Sequence, residues 1–170
     1  IMLIITHLFF QPQINNQHRY GDDCDENTRL LGWSASKSVV NALVGLRVQE
    51  GAMKLDTPLA ATVDVWQEKG NQPQPHLQTA TFEQALRMSD GLDGDEAYIP
   101  GGGVTDMLFV EGSVDKAIKH AVENGRRPRG EGCFHYSSTT TNIIAKALMA
   151  TFDTLADALR YPTEALVSLS

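Results

Sequence analysis

Basic residues are scarce in this chain. Lys and Arg number 14 against 21 Asp and Glu, a formal net charge of -7. Nucleic-acid binding needs clustered cations to meet phosphates. The one basic run, Arg126-Arg127-Pro128-Arg129, is short, sits in a Gly/Pro-rich loop and reads as a solvated turn. No nucleic-acid partner is therefore expected. Long apolar runs are missing too. The longest, Ile1–Thr6 and Leu8–Phe10, fall far short of the roughly 20 residues of a spanning helix, so no transmembrane segment is expected. The start lacks the basic n-region of a signal peptide. Cysteines are few, and Cys24 and Cys133 can pair or stand as free thiols. Cys133-Phe134-His135 offers two metal donors without a second pair. Gly101-Gly102-Gly103 lacks the lysine and spacing of a phosphate loop. The carboxylates of Gly21–Asn27 lack the spacing of a calcium loop. Neither a metal nor an organic cofactor is expected.

What is present suffices for one folded domain. The 170 residues are 42% hydrophobic, a length and composition that support a core and argue against disorder. Ile1–Phe10 is apolar and β-branched and reads as a buried strand, with a turn at Asn15-Asn16 and a short return strand at Gln17–Tyr20. From Ser34 to Glu50 runs the strongest helix. Val39, Val40, Leu43, Val44 and Leu46 make it apolar on most sides, as in a buried helix, and Gly51 stops it. Further helices are expected at Thr57–Trp66, from Thr81 to about Met88, from Ser113 to Gly125, and from Ser138 or Thr139 through Leu148. Short pieces at Thr154–Leu159 and Thr163–Leu169 flank Pro162. The stretch Ser89–Thr105 reads as irregular, with Asp93, Asp95 and Glu96 in solvent. Strand signal in front of a long helical middle predicts an α/β (α+β) fold, a sheet plus a helical lobe, and not an alternating wind. The chain opens on Ile1 and stops at Ser170 without a clear cap, so a piece of a longer protein is expected.

Chemistry concentrates at two places. In Gly32-Trp33-Ser34-Ala35-Ser36-Lys37, residues three apart on a helix are neighbours. A helix starting at Ser34 would bring its hydroxyl within reach of the Lys37 amine. Serine is a weak nucleophile that needs a base. A lysine in an apolar helix is desolvated, which disfavours its charged form, and the positive end of the helix dipole acts the same way. Such a lysine can accept the serine proton, while the helix start aims a backbone N–H at a developing oxyanion. The plainer alternative is an N-cap serine and a first-turn lysine. Ser113-Val114-Asp115-Lys116 repeats the spacing on an amphipathic helix and reads as a capped surface helix. The second place is Phe134-His135-Tyr136-Ser137-Ser138. There an extended stretch puts Tyr136 and Ser138 on one side, and a phenol beside an ammonium can serve as general base. His135 falls on the other side and reads as a packing residue.

Together these residues resemble the serine β-lactamase and penicillin-binding protein superfamily, whose motifs include S-x-x-K. Within it they are most similar to the class C-like branch of 6-aminohexanoate-dimer hydrolases and related esterases. The resemblance runs from Leu30 to Val39, along Ala42–Gly51, through Leu86–Leu92 and on to Phe134–Asn142. It implies a β-lactamase-like fold: residues 1–33 as strands and loop of a mostly antiparallel sheet, 34–51 as the nucleophile helix, 52–170 as a helical lobe. It implies Ser34 as acylated nucleophile, Lys37 as its proton partner and Tyr136 as base, with Trp33 and Ser138 touching a small amide or ester substrate. Many relatives carry Asn where Ser138 stands. The family's third motif, Lys-Ser/Thr-Gly or a His-containing equivalent on a later strand, has no counterpart in the chain, so a single partial domain lacking its C-terminal strands is expected. If both motifs line one cleft, Cys24 and Cys133 come near each other, and a bridge would suit a periplasmic or secreted location. Two other readings stay open: a penicillin-binding role with slow deacylation, and a non-catalytic fragment or binding module.

Overall fold

The computed structural model describes residues 20–21, 23–62, 78–92, 94–124 and 132–167. The helices there are α1 (Ala35–Gln49), α2 (Phe82–Leu86), α3 (Gly103–Phe109), α4 (Val114–Asn124), α5 (Ser138–Met149) and α6 (Leu155–Val167), with a 3-10 turn at Leu59–Ala61. Among the described residues there is no strand, only an antiparallel bridge between Pro58 and Thr81. The expected strand at Ile1–Phe10 lies outside the described residues, as does nearly all of Gln17–Tyr20.

Local chemistry explains where the helices start and stop. The α1 C-terminus closes on Gly51, whose φ of 76° is costly for any residue with a Cβ. The Gly51 N–H donates to Val48 O (3.0 Å) and the Ala52 N–H to Arg47 O (2.9 Å), the paired bonds of a Schellman stop. A capping box opens α2: Thr81 Oγ1 accepts from the Gln84 N–H, and Gln84 Oε1 accepts from the Thr81 N–H. Ser113 Oγ accepts from the Lys116 N–H (3.2 Å), so the second S-x-x-K copy is a capped, exposed helix start. For α5 the cap is Ser137, one residue before the expected opening, with Oγ accepting from the Thr140 N–H at 3.1 Å.

The core gathers around α5, which touches α1, α2, α4 and the 3-10 turn. Val39, Leu43 and Val44 of α1 bury in one cluster with Ile143, Ile144, Ala147 and Leu148 of α5, joined by Leu59, Phe82 and Ile118. The α1 helix is covered on one face only. Ala35, Ser38, Asn41, Ala42 and Gly45 on its other side are exposed, against the expectation of burial nearly all round.

Four other expectations change. The helix expected at Thr57–Trp66 is, within the described residues, the single turn Leu59–Ala61. The irregular stretch ends early, because α3 begins at Gly103. Asp95 holds that start: its backbone O accepts from the Val104 N–H (2.8 Å) and its Oδ2 from the Gly103 N–H (3.3 Å). The amphipathic α4, read from the sequence with Val114, Ala117 and Ile118 among its apolar residues, buries Ala117 and Ile118 but leaves Val114 exposed. Finally, α6 runs unbroken through Pro162. A proline inside a helix costs one hydrogen bond and a clash with the preceding turn, but packing on both sides outweighs it. The Phe152 and Tyr161 rings lie 4.9 Å apart, and Ala158 and Leu166 are buried.

One cluster clamps α6 to the end of α1. The Arg47 guanidinium lies 4.2 Å from the Phe152 centroid and donates to Thr151 O (2.8 Å) and Thr151 Oγ1 (3.0 Å). It also pairs with Glu50 at 2.6 Å. The Tyr161 hydroxyl donates to Glu50 Oε1 (2.9 Å). The Arg47 bond, and then the Tyr161 bond, hold the Glu50 carboxyl below its ordinary range. Burial first, then the hydrogen bond to Glu50 and its charge, push the Tyr161 phenol up to about 12. A raised folded-state pKa gives stability that is complete below the unfolded value, about 10, and is lost as the pH climbs through the folded value. The unfolding midpoint should therefore fall between about pH 10 and pH 12. Tyr161→Phe, with no proton to lose, should show a shallower fall in that window when thermal unfolding is followed by circular dichroism.

Candidate active site

Ser34 stands one residue before α1 with helical φ and ψ (-69°, -12°), and its side chain makes no capping bond. The hydroxyl turns to two partners instead. The Lys37 ammonium donates to Ser34 Oγ at 3.1 Å, as the three-residue spacing requires. The Tyr136 hydroxyl donates to the same oxygen at 2.6 Å, across 102 positions of sequence. Lys37 Nζ also sits 4.9 Å from the Tyr136 ring centroid, where the ring's quadrupole attracts a cation. One oxygen thus faces an amine and a phenol that face each other. Ser34 holds the N-cap position of α1 without a side-chain capping bond, and Ser36 is accounted for separately, its hydroxyl donating back to Trp33 O at 2.5 Å.

The backbone ahead of Ser34 is strained. Trp33 has φ 42°, a left-handed conformation that costs a non-glycine residue about 1–3 kcal/mol. The next three amides close turns: Ala35 N–H to Gly32 O, Ser36 N–H to Trp33 O and Lys37 N–H to Ser34 O. Among the described residues the Ser34 N–H meets no acceptor. The indole of Trp33 is exposed beside it.

Tyr136 is carried by residues 132–137, which lead into α5. Behind this segment lies a polar core. Ser137 and Thr140 are fully buried and Asp90 is 2% exposed. The Thr140 hydroxyl donates to Asp90 Oδ2 (2.8 Å), and the Leu92 N–H donates to Asp90 Oδ1 (3.3 Å). Sequence reasoning gave Asp90 no role. Its signal was a carboxylate inside Met88-Ser89-Asp90-Gly91-Leu92, between two apolar residues. His135 is half-buried with Nε2 3.2 Å from Gly94 O. Ser138 does not join the serine. Its N–H and hydroxyl both donate to Glu96, at 2.5 and 2.9 Å, so Glu96 is engaged and half-buried, where solvent was expected. Asp93 lies outside the described residues.

Cys24 and Cys133 are free thiols. Among the described residues no three His, Cys, Asp or Glu side chains gather as a metal set. A cleft of about 180 Å³ borders Lys37, lined also by Asn41, Met88, Thr141 and Ile144. It is below the ~300 Å³ at which ligand pockets begin.

A serine oxygen set between an amine and a phenol, with a free amide at a helix start, is the equipment of a serine hydrolase. A family model for beta-lactamases matches residues 14–161, and the chain belongs to the beta-lactamase family. A comparison with curated proteins finds none that match.

The buried carboxyl offers a direct test of how the Tyr136 segment is supported. Asp90→Ala strips the acceptor from the Thr140 hydroxyl and the Leu92 N–H, and should lower stability by about 2–3 kcal/mol in urea unfolding. Asp153→Ala, at an exposed position, should stay within about 0.5 kcal/mol of wild type.

Proposed function

We propose that the protein hydrolyses a small amide or ester through an acyl-enzyme on Ser34. The observation that carries this reading is the convergence of Lys37 Nζ and Tyr136 OH on Ser34 Oγ. Both groups donate to that oxygen at rest, so attack requires one of them to have given up a proton. A phenolate at Tyr136 beside the Lys37 ammonium fills this need, and so does a neutral Lys37. As the Ser34 Oγ–carbonyl bond forms, the serine proton passes to this base. The oxyanion meets the Ser34 N–H. Collapse breaks the carbonyl bond to the leaving amine or alcohol, which takes the proton from the same base. Water then attacks the acyl carbonyl and gives its proton to the base; collapse breaks the bond to Ser34 Oγ, which takes that proton back as the acid leaves.

Among family activities we favour the esterase and amidase branch related to 6-aminohexanoate-dimer hydrolases. Trp33 before the nucleophile and Ser138 after the Tyr136 segment support that choice. No helix among the described residues is long and apolar enough to cross a membrane, and the proposed substrate is a small molecule.

Intact-mass spectrometry after exposure to a fluorophosphonate tests the reading. One adduct should form on wild type and on Ser113→Ala, and none on Ser34→Ala. Lys37→Ala and Tyr136→Phe should each slow labelling by roughly 10²–10⁴-fold. An adduct that survives Ser34→Ala would sink the assignment. With a β-lactam as reagent, an adduct that persists for hours would move the reading to a penicillin-binding role.

A further inference from the structure

We infer that Glu96 is a positioning residue for the Tyr136 phenol. The inference rests on the reading of Ser34, Lys37 and Tyr136 as the reacting groups, and adds the device that sets one of them. Tyr136 lies in a segment without helix or strand and is 37% exposed. No regular element fixes it, yet its hydroxyl holds Ser34 Oγ at 2.6 Å.

The residues on either side of Tyr136 are tied to the stretch that follows α2, at Met88, Gly94 and Glu96. Ahead of it, the His135 N–H donates to Met88 O at 2.7 Å, and His135 Nε2 lies 3.2 Å from Gly94 O. Met88 reaches this position with φ 54°. Beyond it, Glu96 Oε1 accepts from the Ser138 N–H at 2.5 Å and Oε2 from the Ser138 hydroxyl at 2.9 Å. Two bonds from one carboxylate to one residue fix orientation as well as distance. A carboxylate at the first turn of α5 is also favoured by the helix dipole. Gly94 lets that stretch lie this close, since a Cβ there would stand 2.9 Å from Ser137 Oγ. Ser137 already caps α5 through the Thr140 N–H, so the Glu96 bonds add a hold on the segment itself. A side chain at 138 that would otherwise face substrate is spent on anchoring the base.

The test uses the full chain as wild type, Glu96→Ala, Glu96→Gln and Ser138→Ala, each checked for folding by circular dichroism. One readout is the rate of fluorophosphonate labelling at Ser34. The other is nitration of Tyr136 by tetranitromethane, read by peptide mass with Tyr20 as internal standard, which requires no turnover. Glu96→Ala should slow labelling roughly 10- to 100-fold, the cost of a misplaced group, and raise Tyr136 nitration several-fold. Glu96→Gln should restore both, because its carbonyl can accept from the Ser138 N–H and its amide can donate to the Ser138 hydroxyl. Ser138→Ala, which keeps one of the two bonds, should fall between. A folded Glu96→Ala that labels and nitrates like wild type overturns the inference. A wild type that never labels at Ser34 defeats the hydrolase reading instead, and nitration alone then decides the role of Glu96.

Discussion

Everything at the site depends on the packing of α5 against α1. Neither helix carries the site alone: one brings the serine and the amine, the other the segment that bears the phenol. Their starts meet because Val39, Leu43 and Val44 bury in one cluster with Ile143, Ile144, Ala147 and Leu148. Hydrophobic burial is non-directional and sets only that the two helices touch. The first turn of α5 is held besides by a polar contact, Thr140 with Asp90, which ties it to the chain after α2. A 2.6 Å contact spanning 102 positions is the end product of an apolar core that brings the elements together and a polar core that holds the first turn of α5.

Much of this was legible in the sequence, and the reasons are specific. Spacing alone put Lys37 over Ser34, because helical periodicity leaves an i,i+3 pair little choice once the helix start is known. The helix opening at Thr81 and the Ser113 cap were readable because helix starts are local chemistry. Tyr136 was found by its company, an extended stretch before an apolar helix, and its contact with Ser34 required the tertiary fold. What escaped was non-local. Glu96 looked solvated because its partners lie at Ser138, 42 positions away. The start of α3 was hidden because Asp95 holds it across eight residues. Pro162 read as a break because propensity was weighed without the Arg47, Phe152 and Tyr161 cluster that holds α6 whole.

The two S-x-x-K copies show why spacing is not function. Ser113 spends its hydroxyl on the Lys116 amide, and its lysine stays in solvent. Ser34 makes no cap bond, and its oxygen accepts instead from Lys37 and Tyr136. The difference arises one residue earlier, where Trp33 adopts a positive φ and Ser34 takes helical angles instead of the extended ones of a capping residue.

That turn has a consequence for the protein's evolution and engineering. Trp33 and Met88 are the two non-glycine residues of positive φ among those described, and one aims the serine while the other holds the chain before Tyr136. Glycine at either place would relax the backbone, and the folded state would gain what the strain now costs. Selection for heat resistance alone would therefore drift toward loosened turns at these two positions, and lose the alignment of Ser34 with Tyr136 while the melting temperature rose.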